Sequence, residues 1–322
     1  MRSKIRKSVP KLRVVKRIIG LCFVVTAMAG LVPAAMAADT TVVVFPANVN
    51  GWNYTNFGTT ATQAFVDGPD VPPIGVGSSS FTHDGPAGWN GGTLHTTNLN
   101  GTYLRDIVEL RYSTYQMGVD ALLNQPPYVQ IFLDLDDDGF VDDGIAFEPA
   151  WQTGGRYMVT GLQETLITTA PNSNVEQNNL GATSGGTAAN QWWEWDLMVG
   201  SWWGRGGLLS TGSYKLGVYQ CYADGCVTIA GILEVYPNAR IISQAGVTGT
   251  GGVRLQYGFG GNSHEYVGHV DKLVVGFVGG DTVTYDFELG PTNKNECKKG
   301  GWIGFFKNQG QCVSYFVSNR LK

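Results

Sequence analysis

The chain has 322 residues, 43% of them hydrophobic and 15% charged, with a formal net charge of −4. One large all-β domain fits that length, and a sizeable core can be buried. Net negative charge opposes binding to nucleic acid phosphate, and after the first 37 residues no apolar run is long enough to cross a bilayer.

Residues 1–37 read as a signal peptide. Arg2, Lys4, Arg6, Lys7, Lys11, Arg13, Lys16 and Arg17 form a basic n-region, Ile18 to Val32 an apolar h-region, and Ala35-Met36-Ala37 a small-x-small cleavage pattern. Cys22 follows Leu21 and lacks the small residue of a lipoprotein cleavage site. The mature chain is therefore expected to start at Ala38 and to be secreted, extracellular or at the cell surface, with no membrane insertion after cleavage. Losing those eight cations takes Lys plus Arg from 22 to 14 against 26 Asp plus Glu, a mature charge of −12.

In chain order, Thr41 to Phe45 reads as an opening strand, and 51–77 as a surface loop punctuated by Gly68-Pro69 and Pro72-Pro73. Ser78 to His83 is a short strand, Leu104 to Ile107 a single helical turn, and Val108 to Gln116 an alternating, half-buried strand. Tyr128 to Leu133 and Ile145 to Trp151 are strands flanking a knot of aspartates. Strands follow at Tyr157 to Thr160 and Leu166 to Thr169, then a long loop over 171–190. Further strands are predicted at Trp192 to Leu197, Lys215 to Cys221, Gly252 to Gly258, Val270 to Phe277 and Thr282 to Glu288. The one helix runs from an N-cap at Thr228 to Tyr236 and stops at Pro237. Many short strands, abundant glycine and little helix predict an all-β, two-layer antiparallel β-sandwich of jelly-roll, concanavalin-like wiring.

Four cysteines remain after cleavage, and an even count in an exported chain predicts two disulfides, Cys221–Cys226 and Cys297–Cys312. Zinc is the alternative, but neither pair has finger spacing. Pro291 opens a different segment. Residues 290–322 carry Lys294, Lys298, Lys299, Lys307, Arg320 and Lys322 against Glu296, a net of +5, which leaves −17 on 38–289. Such opposed blocks predict a tail docked on its own sandwich, as a disulfide-closed hairpin over one end, or a contact between Lys298, Lys299, Lys307 and an envelope polyanion.

Asp134, Asp136, Asp138 and Asp142 stand at positions 1, 3, 5 and 9 of a D-x-D-x-D-G-x-x-D pattern, with the Phe140 carbonyl at position 7. Hard oxygen ligands at that spacing suit calcium. Ile145 occupies position 12, where an EF-hand has Glu, so the expected site is a structural calcium turn completed by Asp143 or a distant group. A solvated acidic turn is the competing reading.

Trp193 and Trp195, with Trp52, Trp89 and Trp151, are candidates for a sugar-stacking platform; filling the core is the ordinary role of such rings. Glu194 and Asp196 invite comparison with the laminarinase-type motif E-x-D-x-x-E, but Leu197, Met198 and Val199 follow and the second Glu is missing. HEYVGH, from His264 to His269, is one residue out of step with a zincin motif.

The runs FVDGPDVPPIGVGSSSF (65–81), YLRDIVELRYSTYQ (103–116), FEPAW (147–151), WEWDLMVGSWW (193–203), YPNARII (236–242), GGVRLQYGFG (251–260) and VGHVDKLVVG (267–276) resemble a little-characterised group of bacterial secreted β-sandwich proteins. Residues 291–316 resemble a C-terminal Cys/Trp module seen after such domains. More distantly, the strand carrying Asp271 is similar to jelly-roll carbohydrate-binding modules. That similarity implies a secreted, non-catalytic protein that binds a glycan or cell-envelope polymer. The alternatives are a structural surface or matrix protein and a sandwich-type polysaccharide-cleaving enzyme.

Overall fold

The computed structural model describes residues 38–58, 60–84, 91–117, 126–149, 156–160, 163–167, 190–200, 202–204, 228–243, 252–257 and 265–318. The expected signal peptide, the Cys221–Cys226 pair, the strand at 215–221, Trp89 and Trp151 lie outside these residues.

The protein is an all-β sandwich of two sheets. The spine of the first sheet is β15 (Glu265–Phe277). One of its edges pairs with β6 (Ile107–Gln116); the other is shared by β4 (Gly77–Asp84) and β16 (Thr282–Phe287). The change of partner falls at a β-bulge between Asp271 and Val274, where Lys272 adopts φ 52°. Beyond β4 lies β3 (Ala61–Asp67); beyond β16 lies β1 (Asp39–Val44), in parallel; beyond β6 lie β11 (Trp192–Asp196), β9 (Arg156–Thr160) and β10 (Gln163–Ile167). The second sheet runs β12 (Trp203–Gly204), β8 (Asp143–Phe147), β7 (Tyr128–Asp134), β14 (Val253–Tyr257), β5 (Gly91–Thr96), β2 (Trp52–Phe57), with β13 (Arg240–Ile241) also on β7.

Alternation explains why the sheets stack. Leu110 and Tyr112 of β6, Val129, Ile131 and Leu133 of β7, Leu255 of β14 and Tyr285 and Phe287 of β16 all enter one buried cluster. Strict alternation puts Val108 on the same face as Leu110, yet it is exposed while Ile107 is buried. A register shift between Gly276 and Phe277, opposite Glu109 and Ile107, skips Val108 and turns it out.

Other expectations fail where polarity hides alternation. The segment 51–77 is not all loop: it contains β2 and β3, which send Trp52, Tyr54 and Phe65 inward among solvent-side Asn, Thr and Gln. β5 was missed because its glycines look like turn residues. At Gly92 the Gln63 side chain crosses from β3, its Nε2 1.3 Å from where a Cβ would stand. The helix α1 (Ile229–Val235) forms as expected, with Thr228 Oγ1 accepting the Gly231 N–H.

Helix, not hairpin, makes the tail. Its α2 (Lys294–Glu296) is capped by Asn293, whose Oδ1 accepts the Asn295 and Glu296 N–H groups, while Glu296 reaches back to Thr292. A helical turn over Cys297–Gly301 follows, and α3 (Gln309–Ser318) brings Cys312 to Cys297, 5.7 Å apart at Cα and disulfide-bonded. The rings of Phe305 and Phe306 pack edge-on against Phe45 at the end of β1, which docks the module on the sandwich. Closing 15 residues by a disulfide contributes about 3 kcal/mol. Cys312→Ser is therefore expected to speed tryptic cleavage at Lys298 and Lys299 tenfold or more while the circular dichroism of the sandwich persists.

Candidate functional site

The aspartate turn joins β7 to β8 and is built by its own side chains. Asp134 is fully buried at the end of β7; its Oδ1 accepts the Asp138 N–H at 3.1 Å and its Oδ2 the Gly139 N–H at 2.8 Å. Asp138 Oδ1 accepts the Phe140 N–H at 2.9 Å. Gly139, at φ 94°, supplies the left-handed residue the reversal needs, as does Asp137 at 67°. One carboxylate oxygen each from Asp134, Asp136 and Asp138 lies within 4.8 Å of the others. Three of the expected ligands thus converge. Asp142 instead directs Oδ2 at the Leu135 N–H, 2.7 Å away, and burial raises its pKa.

A distant residue does reach the turn, but it is a cation and not an oxygen ligand that could complete a calcium shell. Arg240 of β13 donates from Nε and Nη2 to Asp134 Oδ2 at 3.0 and 2.7 Å, and its Nη1 pairs with Asp137 at 2.7 Å. No spacing in the sequence joins Arg240 to residues 134–137; the β13–β7 register, with Arg240 opposite Asp134, makes the contact. Burial pushes the Asp134 pKa up, but the Arg240 guanidinium and the turn's N–H groups outweigh it and hold the carboxyl below its ordinary value.

Trp52 and Trp195 are fully buried and Trp193 nearly so. This corrects the platform expectation at these positions, because a ring packed into the core offers no face to a sugar. Trp52 meets Tyr285 and Phe287 edge-on, Trp195 donates from Nε1 to Thr114 Oγ1 at 2.8 Å, and Trp193 stacks on Trp195.

Glu194 points away from those rings and is also fully buried. Its Oε1 accepts from Arg111 at 2.5 Å and its Oε2 from Lys272 at 2.8 Å, and Arg111 is shared with Glu109. Asp196 Oδ1 accepts the Met198 N–H. Glu194 is thus the hub of an ion-pair network across β6, β11 and β15, not a free acid or nucleophile. His269, from the zincin-like run, is a strand residue whose Nδ1 meets Ser78 Oγ at 3.0 Å; burial pushes its pKa down to about 4.

On the tail, Lys294, Lys298, Lys299 and Lys307 are exposed, and none makes an ion pair among the described residues. Ile303, between them, is 67% exposed. Neither family models, nor curated proteins, nor solved structures match this chain.

Proposed function

We propose that this is a secreted, non-catalytic binding protein that engages an anionic carbohydrate or cell-envelope polymer through its C-terminal module, with structural calcium in the aspartate turn. One observation carries the reading: four exposed lysines, none in an ion pair among the described residues, stand on a module whose backbone is fixed by a disulfide and whose aromatic side chains dock it to the sandwich. Had the basic tail served only to neutralise the acidic body, its lysines would be paired with it. Charges on opposite parts of the molecule are screened beyond about 8 Å at physiological salt, so a polyanion can meet the module while the body repels it.

Oxygen-only donors in the turn fit calcium, with Asp134, Asp136 and Asp138 as ligands and the Phe140 carbonyl as a further donor. The ion would stiffen the loop rather than act on a substrate. Its sequestration of charge would leave the turn with less mutual repulsion.

The test is binding to polyglycerol phosphate and to polygalacturonate, with neutral dextran as control. Replacing Lys294, Lys298, Lys299 and Lys307 by Gln should weaken polyanion binding tenfold or more without changing the melting temperature. Equal binding by the variant, or equal binding to dextran, overturns the reading. The burial of Trp52, Trp193 and Trp195 favours a second reading, a structural surface component without a small ligand. It predicts no retention on any of the three polymers.

A further inference from the structure

Ala38 is the first residue after the small-x-small pattern Ala35-Met36-Ala37 and immediately precedes β1. Its backbone nitrogen donates to Asp281 Oδ1 at 3.0 Å, and its carbonyl accepts the Thr282 N–H at 3.0 Å. From there β1 runs parallel to β16 in unbroken register, from Asp39 opposite Thr282 to Val44 opposite Phe287. β1 is the outermost strand on that side of the first sheet, and Asp39, Thr40 and Thr41 are exposed.

The Asp281 carboxylate is positioned by elements other than β1. The turn from β15 to β16 reverses through Gly279 at φ 106° and Gly280 at φ 97°, a backbone region that favours glycine. The Phe277 N–H donates to the Asp281 carbonyl at 2.8 Å, and the Gly280 N–H to the Phe277 carbonyl at 3.0 Å. The backbone under the carboxylate is thus fixed by its own hairpin. Among the described residues no lysine or arginine pairs with Asp281 or Asp39. Asp281 faces one backbone nitrogen that lies 243 residues away in the chain.

That nitrogen changes character when the chain is cut in front of it. Hydrolysis of the Ala37–Ala38 bond by a protease that reads small-x-small adds one water: its hydroxyl goes to the Ala37 carbonyl carbon, and its proton goes to the departing Ala38 nitrogen. At neutral pH the resulting amine takes up the proton that the new Ala37 carboxyl releases. Uncut, Ala38 offers Asp281 one neutral N–H. Cut, it offers an ammonium with three N–H donors at the same place, and a charge-assisted hydrogen bond is about twice as strong as a neutral one.

We propose that export cuts the chain between Ala37 and Ala38 and that the α-ammonium so released forms an ion pair with Asp281, pinning β1 to β16 at the edge of the first sheet. The proposal rests on the secreted reading of the chain and is independent of the polymer bound. Removal of the leader thereby completes the sheet edge. The titratable side chains in β1 and in the turn are Asp39 and Asp281; Tyr285 and Asp286 of β16 stand farther along, opposite Val42 and Val43. Pairing with Asp281 raises the pKa of the amine above its unfolded value, so the contribution is complete below that value and lost as pH rises through the raised one.

The test uses the protein recovered from the culture medium. Mass spectrometry should find a chain that begins at Ala38. Competitive acetylation across a pH series should place half-titration of its α-amine about half a pH unit above that of a synthetic peptide of residues 38–45. The peptide also carries Asp39, so the difference isolates what the fold adds. Asp281→Asn, whose amide oxygen still accepts a hydrogen bond but carries no charge, should abolish the difference. Should that variant fail to fold, salt at about 1 M takes its place and should at least halve the difference, because an exposed pair is screened. An exported chain that begins elsewhere, one whose amine titrates with the peptide, or a difference that neither Asp281→Asn nor salt reduces, overturns the latch and leaves secretion standing. A chain kept in the cell with residues 1–37 attached refutes secretion, and the latch with it.

Discussion

Trp195→Ala should lower the stability of the sandwich by about 3–5 kcal/mol, the range for truncating a large buried ring. Trp195 is fully buried between Trp193 and Phe147, and its indole N–H is the partner of Thr114 Oγ1. Removing the ring leaves both a cavity and an unsatisfied hydroxyl. In a domain of this size the loss corresponds to a fall in melting temperature on the order of 10 °C. Urea unfolding followed by tryptophan fluorescence checks it. A sugar-stacking tryptophan behaves in the opposite way, losing ligand at unchanged stability, so an unaltered midpoint in this variant would return Trp195 to the platform.

The second large effect concerns the aspartate turn. If calcium occupies it, saturating calcium at a hundred times the dissociation constant contributes about 2.7 kcal/mol, a rise in melting temperature of roughly 5–10 °C. Asp136→Asn with Asp138→Asn should reduce that rise by several degrees while leaving the metal-free protein folded, because both side chains are exposed. The chelated protein should also respond to acid in a defined direction. Asp134 has a folded-state pKa below its unfolded value of about 3.9, so its contribution is present above that value and lost as pH falls through the lowered one. Arg240→Gln removes the guanidinium that lowers it. Acid unfolding of that variant should therefore begin at higher pH, and an unshifted transition would show that the Arg240–Asp134 pair does not govern acid stability.

Much of the architecture is legible in residue order because strands that alternate strongly declare themselves. β6, β7, β14 and β16 lie where Val, Ile, Leu and Tyr recur every second residue, and Thr228 and Pro237 bracket α1 as their capping and breaking chemistry requires. β2, β3 and β5 were hidden because their inward positions are few and their outward positions hold Asn, Thr, Gln and Gly. The tail misled differently. Its cysteines predict the bridge correctly, but a bridge of given span is as compatible with two helices as with a hairpin, and the decisive cap at Asn293 is a three-residue signal.

The candidate site divides the same way. D-x-D-x-D-G fixes its own local geometry, so Asp134, Asp136 and Asp138 converge as their spacing dictates. Arg240 comes to Asp134 from 106 residues away, through strand pairing alone. Likewise Asp271 accepts the Phe287 N–H from β16 beside the bulge where β15 changes partners. Contacts of that kind are properties of register, which local sequence does not encode.

The most direct test of the account is the salt dependence of binding between the full-length protein and polyglycerol phosphate. Four lysines meeting phosphates displace counter-ions, so the logarithm of the binding constant should fall against the logarithm of salt concentration with a slope of roughly −3. In the variant with all four replaced by Gln the slope should approach zero. A wild-type slope near zero, or one that survives the four replacements, would contradict attachment through the basic module.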